Sequence, residues 1–178
     1  DEFNKQEFVD EILPLVAVGT IADVVPLLGE NRCFVQMGIK LIKDDKNKGI
    51  AQLLKAAGIE NIETVTSETI AFSLAPRLNA LGRLDDPNPA IELLTGFDDE
   101  EAHQIALMID SKNVERKEVV QAIYDEAKTM LRRDRPLQVL AKEGWNPGVL
   151  GIVAGRLLEE LHQPVIVLSI EDGKAKGS

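Results

Sequence analysis

Three stretches of the 178-residue chain place polar side chains where they could do chemistry. In the first, Val18-Gly-Thr-Ile-Ala-Asp-Val-Val-Pro-Leu27, a single carboxylate, Asp23, stands between Ile21-Ala22 and Val24-Val25. Burying an unpaired charge among such neighbours is costly unless something compensates it. Two readings stay open. In one, Asp23 caps the turn that follows or pairs with Arg32. In the other it offers carboxylate oxygen to Mg²⁺ or Mn²⁺, and the cation compensates the charge. No second Asp, Glu or His nearby completes a ligand set, so spacing alone favours the first.

The second stretch is Ala75-Pro-Arg-Leu-Asn-Ala-Leu-Gly-Arg-Leu84, where Arg77, Asn79 and Arg83 stand among small and apolar residues and Gly82 allows close backbone approach. Facing one cleft, two guanidinium forks and an amide would suit phosphate. A surface turn with Arg83 paired to Asp85 or Asp86 explains the same residues equally well. The third stretch runs from Gly144 through Trp145, Asn146, Pro147 and Gly148 to Arg156. Gly148 and Gly151 lie where a strand should pass into a helix, so free N–H groups and the helix dipole could hold an anion, with Arg156 two turns along. Close helix packing would select the same small residues. His103 and His162 fall on solvated helix positions and receive no role.

These groups need elements to hold them. Apolar spacing predicts a helix over residues 4–13, with Phe8, Val9, Ile12 and Leu13 inward. Pro14 then opens a second helix that carries Asp23 near its end, before Pro26. Asn31 to Lys43 reads as a helix with Phe34, Val35, Ile39, Leu41 and Ile42 inward, and Ile50 to Ala57 as a short one closed by Gly58. Ser67 caps another that runs to Pro76, and Pro89 to Thr95 gives one more. The longest periodic segment, Asp98 to Arg133, opens with a capping box and is polar from Asp110 to Glu118. It reads as one bridging helix, with a break near Asn113 the close alternative. The period then changes to alternation at Leu137, Val139 and Ala141. A helix from Val149 to Leu161, a buried strand from Pro164 to Ser169 and a tight turn at Asp172-Gly173 follow. Strand, helix, strand is the opening of an α/β domain.

Composition narrows the function classes. The formal net charge of −10 argues against binding a polyanion through overall charge, so any such contact relies on local basic residues. Hydrophobic residues make up 44% but aromatics only 4%, which predicts an aliphatic core. The one cysteine, Cys33, reads as a small buried hydrophobe and suits a reducing cytoplasm. No apolar run approaches the roughly 18 residues of a membrane helix. Both ends read as cut, so the chain is expected to be a piece of something longer.

In their order, the three stretches resemble the RecJ family of single-strand-specific DNA exonucleases, within the DHH phosphoesterase superfamily. Gly19 to Leu27 is similar to that family's fourth motif, Pro76 to Arg83 to its arginine-containing segment, and Trp145 to Arg156 to the opening of its DHH-associated domain. The resemblance implies an α/β fold in three parts. Residues 1–97 would be the mostly helical C-terminal part of a DHH domain, 98–133 a long connecting helix, and 134–178 the truncated start of an α/β DHH-associated domain.

It further implies that Asp23 is a catalytic carboxylate and a ligand of a Mn²⁺ or Mg²⁺ centre. In such enzymes two metals activate a water and steady the leaving oxygen during phosphodiester hydrolysis. Arg77, Asn79 and Arg83 would line the DNA path. Asn146, Gly148 and Arg156 would meet phosphate from the second domain, joined by Ser178, which with Gly177 begins the family's Gly-Ser-x-Arg-Ser signature. The implied activity is 5′ to 3′ digestion of single-stranded DNA in cytoplasmic repair and recombination, with no membrane and with single-strand-binding protein as a further partner. The family's earlier aspartates and its Asp-His-His triplet do not occur here, and Asn146 stands where many relatives have His. The piece alone is therefore expected to be inactive and not to retain its metals.

Rival readings are an oligoribonuclease or cyclic-dinucleotide phosphodiesterase of the same superfamily, a non-catalytic single-strand-binding relative, and a plain helical interaction module. If the acidic surplus lies on outer helices while Arg77, Arg83 and Arg156 face the cleft between domains, single strands would be funnelled there and binding would weaken steeply with salt; arginines pointing in unrelated directions would sink this expectation.

Overall fold

The computed structural model describes residues 4–96, 98–132 and 134–178. It divides into two compact units, Asp1–Asn113 and Val114–Ser178.

The first unit is helical. Helix α1 spans Lys5–Ala22, and the Asn4 side chain caps it by accepting the N–H groups of Gln6 and Glu7. Pro14 does not start a second helix; it sits inside α1. A proline in a helix interior costs about 3 kcal/mol. Here Leu13, Pro14, Ala17, Val18 and Ile21 form one buried face, whose packing outweighs that cost. Helix α2, Gly29–Lys43, buries Val35, Gly38 and Ile42. Phe34 and Cys33 face outward, contrary to the sequence expectation. A Cβ on Gly38 would strike the Leu13 carbonyl oxygen and lie 2.5 Å from the Ala17 Cβ, so α1 and α2 meet backbone to backbone.

Helix α3, Lys48–Ala56, is tied to helix α6, Asn88–Thr95, by the Asn47 amide, which accepts from Ile50 N–H and donates to the Leu94 carbonyl at 3.0 Å. A Cβ on Gly49 would strike the Leu93 backbone. Helix α4, Ser67–Thr69, is capped reciprocally by Thr66 and Thr69 rather than by Ser67. The chain then widens into one π turn, Ile70–Leu74, and continues as helix α5, Ala75–Leu84. Pro76 therefore does not end the helix. Its ring would clash with the carbonyl four residues back, at Phe72, and the wider turn relieves that crowding.

Helix α7, Asp99–Thr129, is unbroken through Asn113. Asp98 caps it by accepting Glu101 N–H at 2.8 Å. The expected end at Arg133 lies outside the described residues. Ala102, Ala106 and Ile109 of α7 join the first unit's core around Leu53, Ile70, Leu74 and Leu81.

In the second unit, strand β1 (Gln138–Glu143) pairs in parallel with β2 (Val165–Glu171), which pairs antiparallel with β3 (Lys174–Gly177). The β1–β2 connection contains a 3₁₀ turn at Pro147–Val149 and helix α8, Leu150–Leu161. Leu140 and Val167 lie opposite each other, both buried, and Leu150, Val153 and Leu157 of α8 are buried with them. Trp145 anchors the loop: its indole N–H donates to Glu126 at 2.8 Å, and its carbonyl accepts the Ser169 hydroxyl at 2.6 Å.

Candidate functional site

Asp23 closes α1 as its C-cap residue. Val24 N–H donates to the Ile21 carbonyl and Val25 N–H to the Thr20 carbonyl, the paired reverse bonds of a Schellman termination. That termination needs a left-handed residue just past the cap, and here it is Val24, with φ at 56°. Asp23 is exposed, so the burial penalty suggested by its apolar neighbours does not arise. Of those neighbours only Ile21 is buried, while Val24, like the carboxylate, is open to solvent.

Helix α5 supplies the other wall. Asn79 and Arg83 are one turn apart on one face, and they line with Asp23 a cavity of about 580 Å³ floored by Gly19, Ala22 and Gly82. Arg77 does not join them. At 3.6 residues per turn, positions two apart point about 200° from each other. Arg77 instead donates Nε–H to Asp110 Oδ1 and Nη1–H to the Ser73 carbonyl, both at 2.8 Å. The stretch is a helix rather than a surface turn. Just past its end, Asp85 pairs with Lys112 at 3.2 Å. The Asp86 N–H, and then Lys112, hold the Asp85 carboxyl below its ordinary value.

In the second unit Asn146 caps the 3₁₀ turn and its Oδ1 accepts Gly148 N–H at 2.8 Å. That N–H is thus engaged within the loop rather than presented to an anion. Gly151 makes room for Ser178, whose hydroxyl oxygen lies 3.2 Å from where a Cβ would stand. Ser178 is held by reciprocal backbone bonds with Val167. Arg156, five residues after Gly151, faces elsewhere. Its guanidinium stacks on the Tyr124 ring at 4.1 Å and donates to Gln121 at 3.1 Å. It lines a separate cavity of about 320 Å³ with Arg116 and Lys117. The sequence reading passed over those two cations because they lie in the polar middle of α7; the four-residue step from Lys117 to Gln121 was the available signal.

Residues 134–178 match the DHHA1 domain. The chain is 44% identical over 177 residues to the single-stranded-DNA-specific exonuclease RecJ of Bacillus subtilis, covering 97% of this chain and 22% of that protein. It is 39% identical to the RecJ of Escherichia coli, covering 94% of this chain and 30% of the relative. The crystal structure of RecJ from Thermus thermophilus in complex with Mg²⁺ superposes with a TM-score of 0.82 at 34% identity, covering 90% of this chain and 25% of that one. The chain matches a segment of RecJ.

A further structure, exonuclease RecJ bound to manganese, gives a TM-score of 0.80 at 34% identity, covering 90% of this chain and 40% of that one. The mostly helical fold with a small sheet agrees with the RecJ structures. The chain spans less than a third of the length of the curated RecJ relatives named above. RecJ is known with Mg²⁺ and with Mn²⁺, and the residues here can be tested against such an ion. Such cations take six or more oxygen ligands. Asp23 supplies a single carboxylate to its cavity, and among the described residues no group of three His, Cys, Asp or Glu could hold a metal. These residues do not by themselves form a metal centre. Among the described residues no helix is long and apolar enough to cross a membrane.

Proposed function

We propose that this chain is part of a metal-dependent, single-strand-specific DNA exonuclease of the RecJ type, acting 5′ to 3′ in repair and recombination in the cytoplasm. Residues 1–97 serve as the C-terminal part of the DHH domain, 98–133 as the connecting helix and 134–178 as the opening of the DHH-associated domain. The observation that carries the reading is the meeting of Asp23, Asn79 and Arg83 on one cavity.

In this reading Asp23 is one carboxylate of a Mn²⁺ or Mg²⁺ centre whose other ligands this chain does not contain. Arg83 and Asn79 bind the phosphate of the single strand, the first through charge-assisted hydrogen bonds and the second through its amide. Arg77 acts indirectly, holding α5 to α7 through Asp110. Arg156 offers a second backbone contact from its own unit, beside Arg116 and Lys117. Asn146, Gly148 and Ser178 shape the loop and strand end around the start of α8. Single-strand-binding protein is a further partner.

The test is Mn²⁺-dependent nucleotide release from end-labelled single-stranded DNA by a full-length protein carrying this segment. Asp23→Ala should abolish release, and Arg83→Ala should weaken DNA binding. Undiminished release in Asp23→Ala would sink the reading. A preference for dinucleotides over long single strands would move it to the oligoribonuclease branch of the superfamily.

A further inference from the structure

Two residues of the Asp23 cavity have no side chain. Gly19 lies in α1, one turn before Asp23, and Gly82 lies in α5 between Asn79 and Arg83. Neither has a positive φ, so neither backbone conformation requires glycine. A Cβ at either position would meet nothing within 4 Å. Gly38 and Gly49 differ, since a Cβ there would strike a neighbouring backbone. Glycine in a helix interior is less stable than alanine. Gly19 and Gly82 thus weaken their helices without serving a turn or a helix contact.

What they do is leave space. On α1 the open face is Gly19, Ala22 and Asp23, at steps of three and four residues, and on α5 it is Asn79, Gly82 and Arg83 at the same steps. Each helix therefore presents a glycine to the same cavity, beside Asp23 on the first wall and between Asn79 and Arg83 on the second. The charges differ between the walls. Arg83 attracts an anion, whereas Asp23 repels a bare one.

We infer that Gly19 and Gly82 are positioning residues, which keep clear the space where a backbone phosphate of single-stranded DNA approaches α1 and α5. This rests on the function proposed above. The phosphate seats on the α5 side, over Gly82, while Gly19 keeps the sugar-phosphate chain from being pushed off that seat.

The test combines two readouts on full-length protein: thermal midpoint, and anisotropy with a fluorescein-labelled, 5′-phosphorylated oligothymidylate in the absence of divalent metal. Gly19→Ala and Gly82→Ala should each raise the midpoint by about 1–4 °C and weaken DNA binding by at least about fivefold, with Gly82→Ala the larger loss. Gly155→Ala is the control, a helix-interior glycine whose Cβ also meets nothing within 4 Å. It should raise the midpoint and leave binding unchanged. Lowered midpoints in the two cavity variants would mean a packing role and overturn the inference. Raised midpoints with unchanged binding would also overturn it, and Arg83→Ala then locates the fault. If Arg83→Ala weakens binding, only the role of the glycines falls; if it does not, the cavity is not the DNA site.

Discussion

Arg77 Nε–H meets Asp110 Oδ1 at 2.8 Å, and only 14% of the arginine side chain and 30% of the aspartate are exposed. With Nη1–H on the Ser73 carbonyl, the guanidinium is committed to the protein. Asp110→Ala leaves a largely buried cation without its counter-charge and should cost about 1–2 kcal/mol, less than a fully buried pair because solvent still reaches it. Urea denaturation checks this. Salt titration of DNA binding separates the two arginines: Arg83→Gln should reduce the slope of log K against log salt by about 1, and Arg77→Gln should leave it unchanged.

Val24 holds a left-handed backbone with a β-branched side chain that is 86% exposed. Left-handed φ costs an ordinary L-residue roughly 1–2 kcal/mol, and asparagine tolerates it far better. So little of the valine is buried that its removal forfeits almost nothing. Val24→Asn should therefore stabilise the protein by about 1 kcal/mol, seen as a higher denaturation midpoint at unchanged slope. A lower midpoint would show that the exposed isopropyl group has a structural partner.

Acid should loosen the second unit. Lys142, and then the Trp145 indole, hold the Glu126 carboxyl below its ordinary 4.5. Lys128, and then Tyr124, do the same for Glu160. A carboxylate whose folded value is depressed adds stability at pH above the unfolded value, and loses it as pH falls through the folded one. Stability should therefore decline below about pH 4.5. Glu126→Gln and Glu160→Gln should each flatten that decline while lowering stability at neutral pH. Lys128 runs the other way. Glu160 raises it above 10.5, so its contribution is present below that value and is lost as pH rises through the folded one.

Gly38→Ala and Gly49→Ala should each destabilise by about 1–3 kcal/mol, because the added methyl meets backbone that cannot step aside. Differential scanning calorimetry of the two variants would show it, and a rise in midpoint for either would contradict the close approach of α1 to α2 or of α3 to α6.

Much of the fold was legible as local pattern. The α2, α3 and α6 helices, the unbroken α7 and the β1–α8–β2 unit follow from periodicity and caps that act within a few residues. The misreadings have two causes: at Pro14 tertiary packing overrides a local signal, and elsewhere the local helical period or turn was itself misjudged. Pro14 was read as a boundary, but the buried face of α1 carries the helix through it. Pro76 was read as a stop, but a π turn absorbs it. Cys33 and Phe34 were placed inside because their neighbours are apolar, whereas the one-turn steps through Val35, Gly38 and Ile42 decide which face is buried. At the cavity, the meeting of Asp23 with Asn79 and Arg83 joins residues more than fifty positions apart, which no local pattern reports. Arg77 was grouped with them as facing one cleft; in the helix, spacing sets Arg77 away from the face that carries Asn79 and Arg83.

The bare floor of the cavity bears on how this protein would respond to selection. A screen that rewards heat resistance alone would accept alanine at Gly19 and Gly82 and reject it at Gly38 and Gly49. Successive rounds would then yield sturdier chains with the cavity filled in. On the role inferred for Gly19 and Gly82, any effort to harden this segment has to select for nucleic-acid binding in every round, because heat resistance and binding would be traded against each other one methyl group at a time.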